Sequence, residues 1–150
     1  MNYLELAYKE AEKAYLKNEV PVGAILIKED QLIASGHNLR ITKNNSLYHA
    51  EIIVIEEACK ILDNWRLDDS ILYVTLEPCL MCAGAIMQSR ISKVVFGALD
   101  AKGGAVVSQY QVFDDGKLPF KVQYEYVPHQ LSSKILSDFF REKRFTEISE

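Results

Sequence analysis

The chain has 150 residues, 49% of them hydrophobic and 25% charged, with a formal net charge of −4 at pH 7. This fits one domain, residues 1–150, with a core of ordinary size, and excludes a disordered or fibrous chain. It also lacks the cationic excess of a general nucleic-acid binder, so such a role rests on local patches: Arg40 with Lys43, and Arg141 with Lys143 and Arg144.

In "MNYLELAYKEAEKAYLKNE", Leu4, Ala7, Tyr8, Ala11, Ala14 and Tyr15 recur at helical spacing between Lys and Glu, which predicts an amphipathic helix. The stretch lacks a signal peptide's apolar centre, no other run is apolar enough to span a bilayer, and three cysteines make an odd count. The expectation is a cytoplasmic protein with no membrane association and no disulfide framework.

"VPVGAILIKEDQLIASGHN" predicts a hairpin, with strands over 22–28 and 32–36 joined by Glu29, Asp30 and Gln31. "LRITKNNSLY" is polar and irregular. "HAEIIVIEEACKIL" is apolar on nearly every side, as in a helix buried against a sheet, and Cys59 within it reads as a small core residue. "SILYVTLE" is a strand stopping at Pro78, "CLMCAGAIMQS" a helix and "KVVFGA" a strand; this order predicts parallel pairing through a right-handed crossover. Residues 100–119 show no clear period. "FKVQYEYV" alternates like a strand, and "QLSSKILSDFFREKRF" places Leu131, Ile135, Leu136, Phe139 and Phe140 on one helical face. The expected fold is α/β, a three-layer α/β/α sandwich around a mixed five-stranded sheet.

The chemistry centres on "TLEPCLMCAGAI". Cys79 and Cys82 lie one turn apart at the start of the predicted helix, so both sulfurs can reach one point where the helix dipole favours thiolates. Taken alone, the pair is a redox couple, half of a metal site, or two buried thiols. "HAE", His49-Ala50-Glu51, opens the earlier helix and turns the pair into a metal site. Two thiolates and one imidazole leave tetrahedral Zn²⁺ one open position, the coordination of a catalytic centre where water is acidified. Glu51, projecting from the first turn toward the same pocket, can accept a proton and hand it on without ligating the metal; it also complements the helix N-terminus.

The order His-x-Glu, then Pro-Cys-x-x-Cys, is that of zinc nucleobase deaminases. With "EVPVGA", "GHN" and "LYVTLEPCLMCAGAIMQSRISKVVFGALDAKGG", it makes the chain resemble the bacterial tRNA adenosine deaminases from the first helix to Gly104; the last helix, "LSDFFREKR", is similar too. The resemblance implies a cytidine-deaminase-like fold and a homodimer in which residues of one chain complete the other's active site. It implies hydrolytic deamination of the wobble adenosine of an arginine tRNA to inosine, with the anticodon stem-loop as partner. His49, Cys79 and Cys82 would hold Zn²⁺, and Glu51 would shuttle the proton as water attacks the purine C6 and ammonia leaves. By position, Asn38 corresponds to the asparagine that hydrogen-bonds the base, Val22 to a residue packing on it, and Asp100 to a contact with ribose and backbone. The N–H groups of Ala50 and Cys82, free at helix starts, suit a developing oxyanion.

The chain departs from the family in several places. The usual Asp-Pro-Thr-Ala ahead of "HAE" is "NSLY" here, which sets Tyr48 beside His49 as a candidate for stacking on a base. After the glycine-rich turn, Gly-Ser-Leu becomes "VSQYQVF", and an Asn-His pair near residue 120 becomes "LPFKVQ". Those segments touch RNA in the family, so two other readings stand beside the first. One is a deaminase of a free base or nucleoside such as guanine, cytosine or cytidine. The other is a non-catalytic zinc-stapled RNA-binding module, against which an intact Glu51 argues.

Overall fold

The computed structural model describes residues 2–149. Among them are helices α1 (Tyr3–Leu16), α2 (Ala50–Leu62), α3 (Leu80–Gln88) and α4 (Gln130–Ser149), and strands β1 (Gly23–Lys28), β2 (Gln31–His37), β3 (Ser70–Val74), β4 (Lys93–Phe96) and β5 (Gln123–Tyr126). One sheet has the order β2-β1-β3-β4-β5. It is antiparallel at β1/β2 and β1/β3 and parallel at β3/β4 and β4/β5, so the mixed α/β architecture matches the expectation. No helix among the described residues is long and apolar enough to cross a membrane.

Strand β1 shows why the sheet carries helices on both faces. Its side chains alternate: Ala24 and Leu26 join the larger apolar cluster with Val54, Ile86 and Phe96, while Ile25 and Ile27 join Ala7 on the other side. Each large aliphatic side chain removed from water contributes about 1.5–3 kcal/mol. Helix α1 starts at Asn2, whose Oδ1 accepts from Leu4 N at 3.1 Å, and buries a stripe of small residues, Ala7, Ala11 and Ala14. Small residues let α1 approach β1 closely. A Cβ on Gly23 would stand 2.1 Å from the Ala7 carbonyl oxygen and 2.5 Å from Ala11 N, so only glycine fits there.

The hairpin is tighter than the sequence suggests. Lys28 pairs with Gln31, and the turn is Glu29 and Asp30 alone, with φ of 51° and 59°. Two consecutive left-handed residues give the turn the twist of its flanking strands, which a three-residue polar turn does not require. Helix α4 also turns differently from its predicted face. Ser132, Ile135 and Phe139 are buried, whereas Leu131 and Phe140 are 44% and 45% exposed. The helix packs on α1, with the Phe139 ring edge-on to Tyr15 at 6.2 Å, so a narrower stripe faces inward.

Strand directions position everything that follows. β2, β3, β4 and β5 run one way and β1 the other, so the start of β1 and the ends of β2, β3 and β4 gather at one end of the sheet. Val22, Asn38, the segment ending in Cys79, and Asp100 all leave the sheet there, as expected of a ligand crevice at strand carboxyl ends.

Replacing Gly23 with Ala forces α1 away from β1, because the obstacle is backbone. The expected cost is about 2–3 kcal/mol, a loss of about 6–9 °C in Tm. Gly116→Ala, where a Cβ meets nothing within 4 Å, should leave the melting curve in place. Equal Tm values for the two variants in thermal unfolding would contradict this packing.

Candidate active site and metal centre

Two helix N-termini meet at this end of the sheet. The N-cap of α2 is His49 (φ −71°, ψ 157°) and that of α3 is Cys79 (φ −77°, ψ 177°), and neither side chain caps its own helix. Both are turned toward each other. His49 Nδ1 lies 3.6 Å from Cys79 Sγ and 3.6 Å from Cys82 Sγ, and the three ligand atoms fall within 4.8 Å of one another. Zn–S and Zn–N bonds of about 2.3 and 2.0–2.1 Å at a tetrahedral angle separate nitrogen from sulfur by about 3.6 Å. The donor set therefore fits a tetrahedral zinc ion in both chemistry and spacing.

The site's protons are arranged for a cation. The hydrogen bond from the Cys82 thiol, helped by His49 and the Cys82 N–H, pulls Cys79 down to about 4. Cys82 itself is raised by giving that hydrogen bond and by burial. The pair thus shares one proton, which a thiophilic metal displaces on binding. The hydrogen bond with Cys79 raises His49 against the opposing effect of burial.

Glu51 sits in the first turn of α2, 4% exposed. Burial pushes its carboxyl up to about 7, against the lowering effects of its own backbone N–H, His49 and a hydrogen bond with Cys82. A carboxyl poised near neutrality next to the three donor atoms suits proton transfer.

These groups open into a cavity of about 360 Å³, which Val22, Asn38, Ala50 and Asp100 line together with His49, Glu51 and Cys79. Asn38 is held by its own turn, donating from Nδ2 to Val20 O at 3.3 Å and accepting Arg40 N on Oδ1 at 3.0 Å. Asp100 accepts Lys102 N and Gly103 N at 3.2 and 3.0 Å. Tyr48 is not among the lining residues. It belongs to a turn that Asn45 organises without proline: Asn45 Oδ1 accepts Leu47 N at 2.9 Å and Asn45 O accepts Tyr48 N at 3.1 Å.

Three charged lining residues escaped the reading of the sequence as site residues: Glu19, Arg40 and Glu77. The signal for the two acids was a carboxylate inside an otherwise apolar stretch, "EVPVGA" and "TLEPC". Glu19 accepts Ile41 N at 3.1 Å and Thr42 N at 2.6 Å, tying the loop after β2 to the pocket wall. A second cavity of about 760 Å³ shares Val20, Leu76 and Asp100 with the first and runs past Leu99 and Phe140 to Lys102, Lys143 and Arg144. Of the two basic patches, the C-terminal one thus adjoins the site, and Arg40 represents the other at the pocket itself.

Comparison with known proteins agrees with this geometry. The family model described as MafB19-like deaminase matches residues 1–144. The tRNA-specific adenosine deaminase of Bacillus subtilis (strain 168) is 50% identical over 145 residues, covering 95% of this chain and 89% of its own. A structure solved in work on A-to-I editing by tRNA:A34 deaminases at the wobble position superposes with a TM-score of 0.86 at 41% identity, covering 89% of this chain and 98% of that one. Guanine deaminase from Bacillus subtilis superposes with a TM-score of 0.64 at 30% identity, covering 96% and 95% of the two chains. With a family model spanning nearly its whole length and half its residues identical to a curated relative, the chain belongs to the MafB19-like deaminase family, on the branch of the tRNA-specific adenosine deaminases.

Proposed function

We propose that the protein is a cytoplasmic zinc-dependent hydrolase that converts the wobble adenosine of an arginine tRNA anticodon to inosine, with its chemistry carried by one deaminase domain over residues 1–150. The observation that carries the reading is the convergence of the His49, Cys79 and Cys82 ligand atoms within 4.8 Å, where His49, Cys79 and Glu51 line one cavity. In this reading His49 Nδ1 and the two sulfurs would hold Zn²⁺, which would supply an acidified water. The Glu51 carboxylate would take one proton of the attacking water and deliver it to the purine ring nitrogen, then take the remaining proton of the added hydroxyl and deliver it to the departing amine; water and adenosine give inosine and ammonia. Asn38 holds the base edge, Val22 packs on its face, the Ala50 N–H faces the oxygen that develops charge, and Asp100 meets the ribose and backbone.

The choice of RNA over a free base is supported by the second cavity. An apolar floor with Leu99 and Phe140, edged by Lys102, Lys143 and Arg144, continues the pocket outward on a chain whose net charge is −4. A flipped nucleotide needs such a path for its neighbours, whose phosphates seek cations and whose bases seek apolar faces. The reading includes a homodimer, supported by Leu47 and Leu80, which are 54% and 56% exposed beside the metal ligands.

Zinc-loaded protein given an arginine-tRNA anticodon stem-loop, free guanine, cytosine and cytidine in parallel should release ammonia from the stem-loop. Turnover of a free base with the stem-loop untouched would move the assignment to the free-base deaminases. Glu51→Gln should keep its zinc and lose about 10²–10⁴ in rate. The same variant reports the buried charge in metal-free protein. A carboxyl raised on folding favours the native state in its protonated form, fully below about pH 4, and loses that contribution as pH rises through about 7. Metal-free Glu51→Gln should therefore match the parent at pH 4 and exceed its stability by about 3 kcal/mol at pH 8, read by urea unfolding. Cys82→Ala removes a ligand from the interior and should lower bound zinc far below one per chain by metal analysis; stoichiometric zinc in that variant would mean the metal site lies elsewhere.

A further inference from the structure

We infer that Glu77 is a positioning residue for the substrate pocket: its buried carboxylate, between β3 and Cys79, holds the segment that carries Asp100 in place over the cavity. Glu77 is 2% exposed, and its backbone N–H donates to Ala98 O at 2.8 Å, so the residue itself cannot shift. Oε2 accepts three consecutive amides, Val106 N at 3.1 Å, Val107 N at 2.8 Å and Ser108 N at 3.0 Å. Oε1 accepts Asp100 N at 3.1 Å and the Ser108 hydroxyl. One carboxylate therefore takes five hydrogen bonds from a single loop.

The contact is specific to a charge of this shape. A Cβ on Gly104 would come within 2.3 Å of the carboxyl carbon, so the loop backbone lies flat against it. Neighbouring backbone bonds repeat the link: Ala105 N donates to Pro78 O at 2.9 Å, and Cys79 forms an isolated bridge with Gly104. Burial opposes the Glu77 charge, but the Ser108 hydroxyl and the amides outweigh it and hold the carboxyl below its usual range. Glutamine is the same size but presents an NH₂ to donors on one side, leaving at least one amide facing a donor. The loop must then move, and Asp100 moves with it.

The inference rests on the reading of Asp100 as a substrate contact, and the test separates the two. Glu77→Gln should bind one zinc per chain, keep the parent's circular dichroism, and raise KM for the stem-loop about tenfold with kcat within about threefold. Asp100→Ala should raise KM as well, and the double variant should cost far less than the product of the two single effects, because the second change removes a contact already misplaced. Hydrogen exchange at Val106, Val107 and Ser108 should quicken in Glu77→Gln whatever the substrate. If Asp100→Ala leaves KM unchanged while these amides still exchange faster, the substrate role of Asp100 fails and the clamp stands. Unchanged protection of these amides, or single effects that simply multiply when both variants raise KM, would overturn the inference. If Glu77→Gln does not fold, Ser108→Ala removes one of the five bonds and should shift KM in the same direction by about threefold, with zinc content intact; an unshifted KM there would count equally against it.

Discussion

The ligand atoms of His49, Cys79 and Cys82 lie within 4.8 Å of one another, so α2 and α3 must begin side by side at the same end of the sheet. That requirement runs through the whole topology. It is met because β2 and β3 run in the same direction, with β1 between them as the antiparallel spacer, and each is followed by a helix that starts beyond its carboxyl end. It also explains why two helix starts carry side chains that do not cap them: the imidazole and thiol at those positions face each other instead. The same crowding of strand ends brings Val22, Asn38 and Asp100 to the pocket from three further places in the chain.

Three buried glutamates around the pocket share a chemistry but not an environment. Glu51 is desolvated with little hydrogen bonding to offset the burial, and its carboxyl rises to about 7. Glu77 and Glu19 are also opposed by burial, yet each is surrounded by donors from a loop and remains below the usual range. The physical distinction is the supply of N–H groups to the charged form. It divides the acids into one that can exchange a proton and two that hold the pocket walls, the loop after β2 and the loop after β4.

The departures from the family pattern leave the site's geometry intact. Asn45 builds the turn before α2 with a side-chain hydrogen bond, in a place where proline would have supplied a fixed φ. In "VSQYQVF", Val107 and Ser108 contribute amides and Ser108 its hydroxyl to Glu77, while Val107 and Phe113 pack against the core, so this altered segment is anchored by both backbone and apolar side chains. Phe120 of "LPFKVQ" lies under the Arg90 guanidinium, 3.2 Å from the ring centroid, and serves packing at the far end of the sheet. The altered segments thus remain ordered by local hydrogen bonds and ring contacts, while the path outward from the pocket passes Lys102, Lys143 and Arg144.

Spacing in the chain was enough to single out three groups that could hold a metal, because i and i+3 thiols at a helix start converge and the histidine ahead of "AE" completes a set that zinc accepts. Periodicity likewise determined the helices, the strands and the parallel crossover, since these follow from local apolar patterns. Tertiary structure alone decided which face of α4 is covered and that Tyr48 stays outside the pocket lining. It alone revealed Glu77 and Glu19 as clamps. A carboxylate's role depends on which backbone N–H groups a distant loop brings to it, and no local pattern in the chain encodes that encounter.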